Sequence, residues 1–453
     1  MLTSDFLTNI RVYYDRTMGD RQSQLYNYYT GSTIPIDSRK PVSDAKAATH
    51  TNVHVDFFKN IIDFKVGYMG KSITSTVNVE DPDLNKAIHD KYKAFEMLNN
   101  MSILNTESIS WTSTSGISHR LLFTENGAVK IKNILPWQVI YKYDHTPLDP
   151  TVAYYYYTTV DLEGVKVSHI DVYDKHIVSY YVKNSDNMYQ YLGEQLHNFI
   201  EVPIIPIINN DLWASDCEKS VRLMDVYDEV ISDEAAEVKA LRLAYIKIWG
   251  SLSTGMDSSG NEIDINDWMK QTSAMIFGVD DEGNKTGDAE FLEKNINDVV
   301  LENTLDRYRT HIFETSGSVD LKEFANTERV FSIKAQMMRP ENTAAIAEQY
   351  LRASLFKQNR LWAYIQREIY NFNVTEMDIE WNFKRTFPRD LASESTTLTK
   401  LVKVITLNDA LTQLGWENAE GIASRVIKEA EKIEEEANEE IEEEIEEEID
   451  LTI

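Results

Sequence analysis

The stretch SDCEKSVRLMDVYDEVISDEAAEVKALRLAYIKIWG, residues 215–250, decides how the rest of the chain can be arranged. Its spacing Ser215-x-x-Glu218 is that of a capping box, in which two side chains cap each other's backbone N–H groups at a helix start. Apolar residues then recur at helical spacing as far as Ile248, with no glycine or proline before Gly250. The pattern predicts a helix roughly 50 Å long. Because its other faces are acidic, we interpret it as a strut rather than a buried core helix.

A shorter return helix is predicted further along the chain. Asn297 and Asp298 are both suitable N-cap residues, and apolar side chains follow at helical spacing until Gly317. The two helices therefore predict an arm that leaves a body and comes back to it.

The segment between these helices, residues 251–296, is rich in Gly, Asp, Asn and Ser. Short apolar pieces at 273–278 and 289–292 predict two strands joined by a long turn-rich loop. We expect a small α/β lobe at the tip of the arm.

Composition limits the possible functions. The net charge of −29 argues against a protein that binds nucleic acid by neutralising phosphates. Much of this charge is local, because Glu429 to Asp450 contains fourteen acidic residues and one lysine. The single cysteine, Cys217, excludes an intrachain disulfide and a cysteine metal cluster. No apolar run approaches the roughly 18 residues of a membrane span, so no membrane association is expected.

The remaining sequence predicts helices on both sides of a sheet-forming region. Helical patterns cover Met1 to Tyr29 with a break near Gly19 and an end at Gly31, Thr49 to Gly67, Asp83 to Trp111, Pro340 to Ile369, and Ser393 to Lys432. Strands of an antiparallel meander are predicted at 128–131, 138–143, 152–157, 166–173 and 177–182, and one more at 378–384. These patterns together indicate an α+β fold.

Chemical motifs are incomplete wherever they occur. Gly70-Lys71-Ser72 resembles the end of a phosphate-binding loop, but Lys65 stands where the first glycine should be. His50 and His54 lie four residues apart without the glutamate of a zinc-protease motif, which favours a hydrogen-bonded polar pair. The run Tyr154 to Tyr157 has no interleaved basic residues, so sheet packing is favoured over base stacking. We predict no catalytic residue, no metal site and no cofactor.

Several short motifs occur in an order that resembles a known family. They are Tyr28-Tyr-Thr-Gly31, Asp63-Phe-Lys-Val-Gly-Tyr-Met-Gly-Lys71, Pro203-Ile-Ile-Pro206 with Asn209-Asn210, and Leu223-Met-Asp-x-Tyr-Asp228. In this succession, from Leu25 to about Ala392, the chain resembles the portal proteins of long-tailed bacteriophages.

The resemblance implies a mostly helical α+β portal fold with wing, stem, clip and crown regions. The implied division is a wing at 1–214, a first stem helix at 215–250, a clip at 251–296, a second stem helix at 297–317, a tunnel loop region at 318–339, a long wing helix and strand at 340–392, crown helices at 393–433 and an acidic tail at 434–453. We expect that tail to be solvated and partly helical.

The resemblance also implies a function. A portal protein forms a ring, expected here to be a dodecamer, at one vertex of the virion capsid and is assembled in the cytoplasm of the host bacterium. Its implied partners are the terminase, head completion or adaptor proteins, scaffolding and major capsid proteins, and the double-stranded DNA that passes through the ring. Such a protein is not an enzyme. The alternatives are a nucleic-acid-processing enzyme or packaging-motor subunit, and a cytoplasmic scaffold unrelated to phage.

Two sets of residues follow as candidates for the function. Lys322, Arg329 and Lys334 stand in the segment that the family places against DNA, although ion pairs with Glu323 and Glu328 are an equally good interpretation. In the clip, Ile276 and Phe277 are candidates for docking a partner, since a polar lobe far from the core is typical of a docking surface.

Overall fold

The computed structural model describes residues 2–41, 49–70, 73–144, 149–160, 162, 164–241, 246–250, 287–291, 298–322, 336–385, 391–414, 416, 418–430 and 432. The chain divides into two units, Met1–Thr386 and Phe387–Ile453. Helices and antiparallel sheets occur together, so the predicted α+β class is confirmed. The finer division into eight regions stays a prediction.

The first two helices form one continuous rod. They are α1 (Ser4–Tyr14) and α2 (Asp20–Thr30), and residues 15–19 between them form a π-helical turn. The predicted break near Gly19 is therefore a widening of the helix and not an interruption. Gly31 ends α2 as predicted, with a left-handed φ of +65° that glycine adopts without strain.

The helix predicted over Thr49 to Gly67 is wrong in its first half. Residues 49–56 are not helical, and α3 begins at Phe57 and continues through Gly67 to Gly70. The physical reason lies elsewhere in the sequence. The backbone N–H groups of Val53 and Val55 donate to side chains far along the chain, so they are not available for a helix.

The helix predicted over Asp83 to Trp111 is two helices. Strand β1 (Ile73–Val77) is followed by α4 (Pro82–Leu98) and α5 (Met101–Ser115). The chain turns at Asn99 and Asn100, and Asn100 takes a left-handed φ of +50°. The Asn99 side chain fixes the turn, because its Oδ1 accepts from the Ile131 N–H at 2.8 Å.

Eight strands then form two antiparallel sheets. They are β2 (Ile117–Glu125), β3 (Ala128–Ile134), β4 (Val139–Lys142), β5 (Val152–Val160), β6 (Lys166–Tyr173), β7 (Ile177–Lys183), β8 (Tyr189–Leu196) and β9 (Ile204–Ile208). Strands β4 to β8 form a five-stranded meander in chain order, and β3, β2 and β9 form a separate sheet in that order. Four of the five predicted meander strands are confirmed. The first, at 128–131, is corrected because it pairs with β2 in the other sheet.

The helices of the predicted arm and the long helix follow. Their elements are α6 (Val221–Leu241), β10 (Ile246–Gly250), β11 (Gly287–Phe291), α7 (Asp298–Ser316), α8 (Met338–Glu368) and β12 (Ile379–Phe383). The predicted return helix, long helix and final strand are confirmed by α7, α8 and β12. Strand β12 pairs antiparallel with β1, which joins two segments about three hundred residues apart in sequence.

The main core of the first unit packs around α8. Trp362 is 2% exposed, and its ring lies 4.9 Å from that of Tyr92 on α4 in an edge-to-face contact. Such aromatic pairs contribute about 0.5–1.5 kcal/mol beyond the area they bury. Trp381 of β12 and Ile379 belong to the same core. The long helix is thus the central element of a core to which the β3-β2-β9 sheet and helices α3, α4 and α5 contribute.

The second unit is described by itself. It contains α9 (Leu391–Leu401), α10 (Leu407–Gln413) and a helix over residues 419–430, which confirms the helical prediction for this region within the described residues. Leu411, Ala419 and Ala423 form its small buried cluster. The acidic tail at 434–453 lies outside the described residues.

Candidate functional site: the stem and the joint at its base

The helices α6 and α7, which we call the stem, pack on each other and on α3. Met224 and Tyr227 of α6, with Ile312 of α7, are buried in one cluster with Phe57 and Phe58 of α3. The Phe57 ring lies edge-on to Tyr227 at 4.8 Å. The predicted apolar stripe of the first stem helix therefore faces the body and the return helix, as an amphipathic helix requires.

The first stem helix begins later than predicted. It starts at Val221, because the residues expected to cap it at Ser215 bind other groups. The Ser215 hydroxyl donates to the Ser113 carbonyl at 2.9 Å, and the Glu218 carboxylate pairs with Arg21. The S-x-x-E spacing thus marks an attachment to the body rather than a capping box.

The first stem helix also ends earlier than predicted. Residues 246–250 form β10, which pairs antiparallel with β11 at the far end of the stem. The strand predicted at 289–292 is confirmed in part by β11, but β11 pairs with residues predicted to be helical. The other predicted tip strand, 273–278, lies outside the described residues. The out-and-back path of the stem is preserved because β10 follows α6 and β11 precedes α7.

A buried ion pair holds the base of the stem to the body. Lys65 of α3 places its Nζ 2.8 Å from Asp216 Oδ2 and 2.9 Å from Asn209 Oδ1. Asn209 Nδ2 donates to the second oxygen of Asp216 at 2.8 Å, so the three side chains close a ring of hydrogen bonds. The Lys65 and Asp216 side chains are only 10% and 7% exposed. We call this cluster, Lys65, Asn209 and Asp216, the joint.

Gly116 allows the chain to approach closely beside the joint. A Cβ at Gly116 would lie 1.9 Å from the Trp213 carbonyl oxygen, and the residue has a left-handed φ of +86°. The Gly116 carbonyl accepts from the Asn209 N–H at 3.0 Å. Only glycine fits here, which lets the segment leading to α6 lie directly on the end of α5.

The return helix has its own attachment. Arg309 of α7 makes two hydrogen bonds to Asp320, one of them 2.8 Å long from Nη2 to Oδ1. Burial acts to raise the pKa of Asp320, but the Arg309 guanidinium and the Lys322 N–H more than offset this and lower it. Bidentate Arg–carboxylate pairs fix geometry as well as charge. The chain is thus tied back immediately after α7.

The structure describes one of the three candidate DNA-channel residues. The Lys322 ammonium lies 3.6 Å from Asp306 of α7, and its side chain is 64% exposed. The interpretation as an ion pair is therefore supported for Lys322, although with Asp306 instead of Glu323 or Glu328. Arg329 and Lys334, and the clip candidates Ile276 and Phe277, lie outside the described residues.

The outward faces of the stem remain open in the single chain. Val226 of α6 and Val299 of α7 are 37% and 66% exposed. Within the described residues, no helix has the length and apolar character needed to cross a membrane. The same part of the chain contains no group of three or more His, Cys, Asp or Glu side chains able to hold a metal ion.

Sequence reasoning missed the side chains that attach the stem. In the sequence, Lys65 stands out only as a misfit in a phosphate loop, and Asp216 lies inside the Ser215-x-x-Glu218 spacing. His54 pairs with His50 by spacing alone, yet its Nδ1 lies 2.6 Å from Asp228 Oδ2 on α6. A partial signal was present, since a lysine inside an otherwise apolar helix face needs a buried partner. Nothing local to the sequence identified that partner.

Comparison with known protein families identifies the family to which this chain belongs. A family model described as "Phage portal protein, SPP1 Gp6-like" matches residues 17–443 of the 453. No curated protein matches the chain. The match covers nearly the whole chain, including the pair of helices α6 and α7. The class of protein is therefore a phage portal protein. The chain belongs to the SPP1 Gp6-like portal family.

Family membership confirms the resemblance found in the motifs. Portal proteins are structural proteins of the virion rather than catalysts, and the family implies a ring oligomer at a capsid vertex that contacts the capsid and the terminase.

Proposed function

We propose that twelve copies of this chain form a ring whose stems surround the channel for DNA during packaging and ejection. The proposal is supported by the stem geometry, in which α6 and α7 bury one face against α3 and leave Val226 and Val299 exposed. With helices packed about 10 Å apart, twelve inner helices make a ring roughly 38 Å across at the axes and roughly 28 Å clear inside. That width admits a DNA duplex with water around it.

Ring formation is tested by the oligomeric state. We expect light scattering and negative-stain images of the purified protein to show a closed ring with a channel. The variant Val226→Glu/Val299→Glu should reduce or abolish rings, since it puts charge into the expected contact between copies. The matched control is Val160→Glu, an exposed valine at the end of β5, which should assemble normally. Only monomers or dimers of the unaltered protein at micromolar concentration, in several salts, would contradict the proposal.

The proposed ring binds some of its partners through the clip and others where the capsid holds it. We assign terminase docking during packaging, and later the head completion or adaptor proteins, to the clip, with Ile276 and Phe277 as the contact residues. Scaffolding and major capsid proteins would hold the ring in the capsid, after assembly in the bacterial cytoplasm. Replacing both clip residues with serine should leave the stem formed and weaken terminase binding. Unchanged binding in a pull-down would remove them from that interface.

The tunnel loop is proposed to meet the DNA. Lys322, Arg329 and Lys334 would approach the phosphates as the DNA passes. The contact of Lys322 with Asp306 supports instead a purely structural role for that residue. Replacing all three with alanine should change packaging or DNA retention and leave ring assembly intact. Equal yields of DNA-filled particles would favour the structural role.

We propose that the chain has no enzymatic activity of its own and that packaging energy comes from the terminase. The alternative, a motor subunit, requires a phosphate-binding loop, and the sequence at Gly70-Lys71-Ser72 is incomplete as one. An ATPase assay of the isolated ring should show no hydrolysis above background. Turnover that is lost in a Lys71→Ala variant would favour the alternative.

A further inference from the structure

Residues 49–56 form neither helix nor strand, and we call this segment the strap. Its residues 51–55 lie along the first stem helix. The Val53 N–H donates to Ser232 Oγ at 2.9 Å, and the Val55 N–H donates to Asp228 Oδ1 at 3.0 Å. Two residues of extended chain advance about 6.7 Å, and four helical residues advance about 6 Å. The two repeats match, so alternate strap residues meet successive turns of α6.

The match continues toward the far end of the helix. Thr51, two residues before Val53, receives a hydrogen bond from Lys239, further along α6. Arg39 reaches Asp233 on the same helix at 2.5 Å. The strap therefore runs antiparallel to α6 and borders the apolar cluster around Phe57, against which Val55 packs. Polar contacts from the strap thus hold α6 next to its apolar contact with α3.

Asp228 is the central contact of the strap. Its side chain is 5% exposed, and its two oxygens accept from the Val55 N–H and from His54 Nδ1. His54 Nε2 lies 3.2 Å from Asp56 Oδ1, so the imidazole stands between two carboxylates. The hydrogen bond to Asp228 raises the pKa of His54 above its ordinary value of 6.5, although burial opposes this.

The other charged groups around His54 act in the same direction. Asp37, in the 3-10 turn at 35–38, also favours the protonated ring. Asp225, one turn before Asp228, accepts from the Tyr28 hydroxyl at 2.8 Å. Burial raises the pKa of Asp225, and the His54 charge partly offsets that increase. The closed structure therefore stabilises protonated His54 relative to a free histidine.

We propose that the strap is a latch on the first stem helix, closed while His54 carries its proton and loosened when the proton is lost. The strap and α3 are continuous, because Phe57 follows Asp56 directly, so loosening the strap also affects the ring that packs on Tyr227 of α6. The latch sets how firmly the first stem helix is held to the body. This inference concerns the single chain and does not depend on ring formation.

The pH dependence has a definite sign. Because the pKa of His54 is raised in the folded protein, its stabilisation is fully present below pH 6.5 and is lost as the pH rises through the raised value. The raised pKa of Asp225 has the same sign in a more acidic range, since its contribution is lost as the pH rises above 3.8 through the raised value. We expect the strap to be held strongly to α6 in mild acid and weakly in mild base.

Hydrogen exchange measured by mass spectrometry tests the latch in the full-length protein between pH 6 and pH 9. Rates are divided by the intrinsic exchange rate at each pH, which removes base catalysis of the exchange itself. We expect protection of peptides covering the strap to fall about ten-fold or more across this range, as expected for loss of a charge-assisted hydrogen bond. His54→Gln should show weak protection with no step in pH.

The control is His311→Gln on α7, an exposed histidine that lies 3.3 Å from Glu314. It should keep the step of the unaltered protein. If His54→Gln does not fold, Asp228→Asn serves instead, because it keeps an acceptor for Val55 and should move the step to lower pH. Strap protection that is independent of pH, or an unchanged step in the His54 or Asp228 variant, would overturn the latch. Light scattering on the same samples reports separately on ring formation.

Discussion

Arg120 in the body and Lys65 at the joint are both buried cations, but they are compensated differently. Arg120 on β2 is 1% exposed and donates to neutral oxygens, among them those of Asn105 and Gln358 at 3.0 and 2.7 Å. Burial lowers its pKa to about 10. Lys65 instead faces the carboxylate of Asp216. The body thus buries the Arg120 charge among neutral polar groups, whereas the joint buries the opposite charges of Lys65 and Asp216 together.

The difference separates two kinds of attachment. Arg120 connects α5, β2 and α8 inside one core, and Asn133 links it to the Glu107 carboxylate. Lys65 connects α3 to the segment that leads into the stem. A buried ion pair contributes geometry more reliably than it contributes stability. We infer that Arg120 fixes the packing of α5, β2 and α8. The Lys65–Asp216 ion pair instead fixes the direction in which the chain enters α6.

The largest effect is expected at Arg120. Arg120→Met should lower the free energy of unfolding by about 3–5 kcal/mol, because several buried oxygens lose their donor together. Urea denaturation of the purified protein measures this loss. Arg16→Met, an exposed arginine on the π-helical turn, is the control and should change stability by less than about 0.5 kcal/mol. A loss below 1 kcal/mol at Arg120 would show that solvent replaces the guanidinium.

The joint should respond differently to single and double changes. Lys65→Met leaves the Asp216 carboxylate buried and unpaired, at a cost of about 3 kcal/mol. Lys65→Met/Asp216→Leu removes both charges and should recover most of that loss in the same urea experiment. If the double variant is less stable than the single one, the two side chains act independently and the comparison with Arg120 fails.

Asp171 extends the comparison of buried charged groups to an acidic side chain of the body. It is 7% exposed on β6, accepts from the Tyr157 hydroxyl at 3.3 Å, and burial raises its pKa to about 6 from 3.8. Asp171→Asn should therefore stabilise the protein by about 1–3 kcal/mol above pH 6. The gain should fade as the pH falls and vanish below 3.8, where both states are protonated. Thermal melts at pH 7.5 and pH 4 measure it, and a loss at pH 7.5 would contradict it.

The smallest effect is expected for the acidic tail, which we predict to be solvated. A run of like charge with sparse isoleucines cannot offset its ordering entropy. Removing residues 434–453 should leave assembly and the melting temperature nearly unchanged and increase DNA binding at low salt, where screening is weakest. Filter binding at two salt concentrations measures the change. A truncated protein that no longer assembles would show instead that the isoleucines, four residues apart, form a packing seam.

Local patterns predicted the helices well and the long-range contacts poorly. The stripe of α6 and the run of α8 are visible in sequence because each helix carries its own periodicity. Strand β2 was missed because His119 and Arg120 are polar but fully buried, which removes the alternation expected of a strand. The pairing of β1 with β12 has no local signal at all.

The functional residues were harder to predict for the same reason. The strap is not helical because α6 supplies partners for its backbone, and these lie about 175 residues away in sequence. The joint likewise needs α3 and the segment before α6 to be close together. A single sequence without its fold offers Lys65 and Asp216 as separate polar residues. Their contact depends on the folded structure, in which β9 pairs with β2 and the segment after β9 reaches Lys65 of α3.

The short connection between β9 and α6 also restricts how this protein can change in length during evolution. It is anchored at Asn209 by the joint and at Ser215 by the Ser113 carbonyl. One inserted residue between Ser215 and α6 would turn the helix by about 100° about its axis. Met224 and Tyr227 would then leave the apolar cluster. Insertions and deletions should therefore collect in the turns of the meander and be rare in this connection.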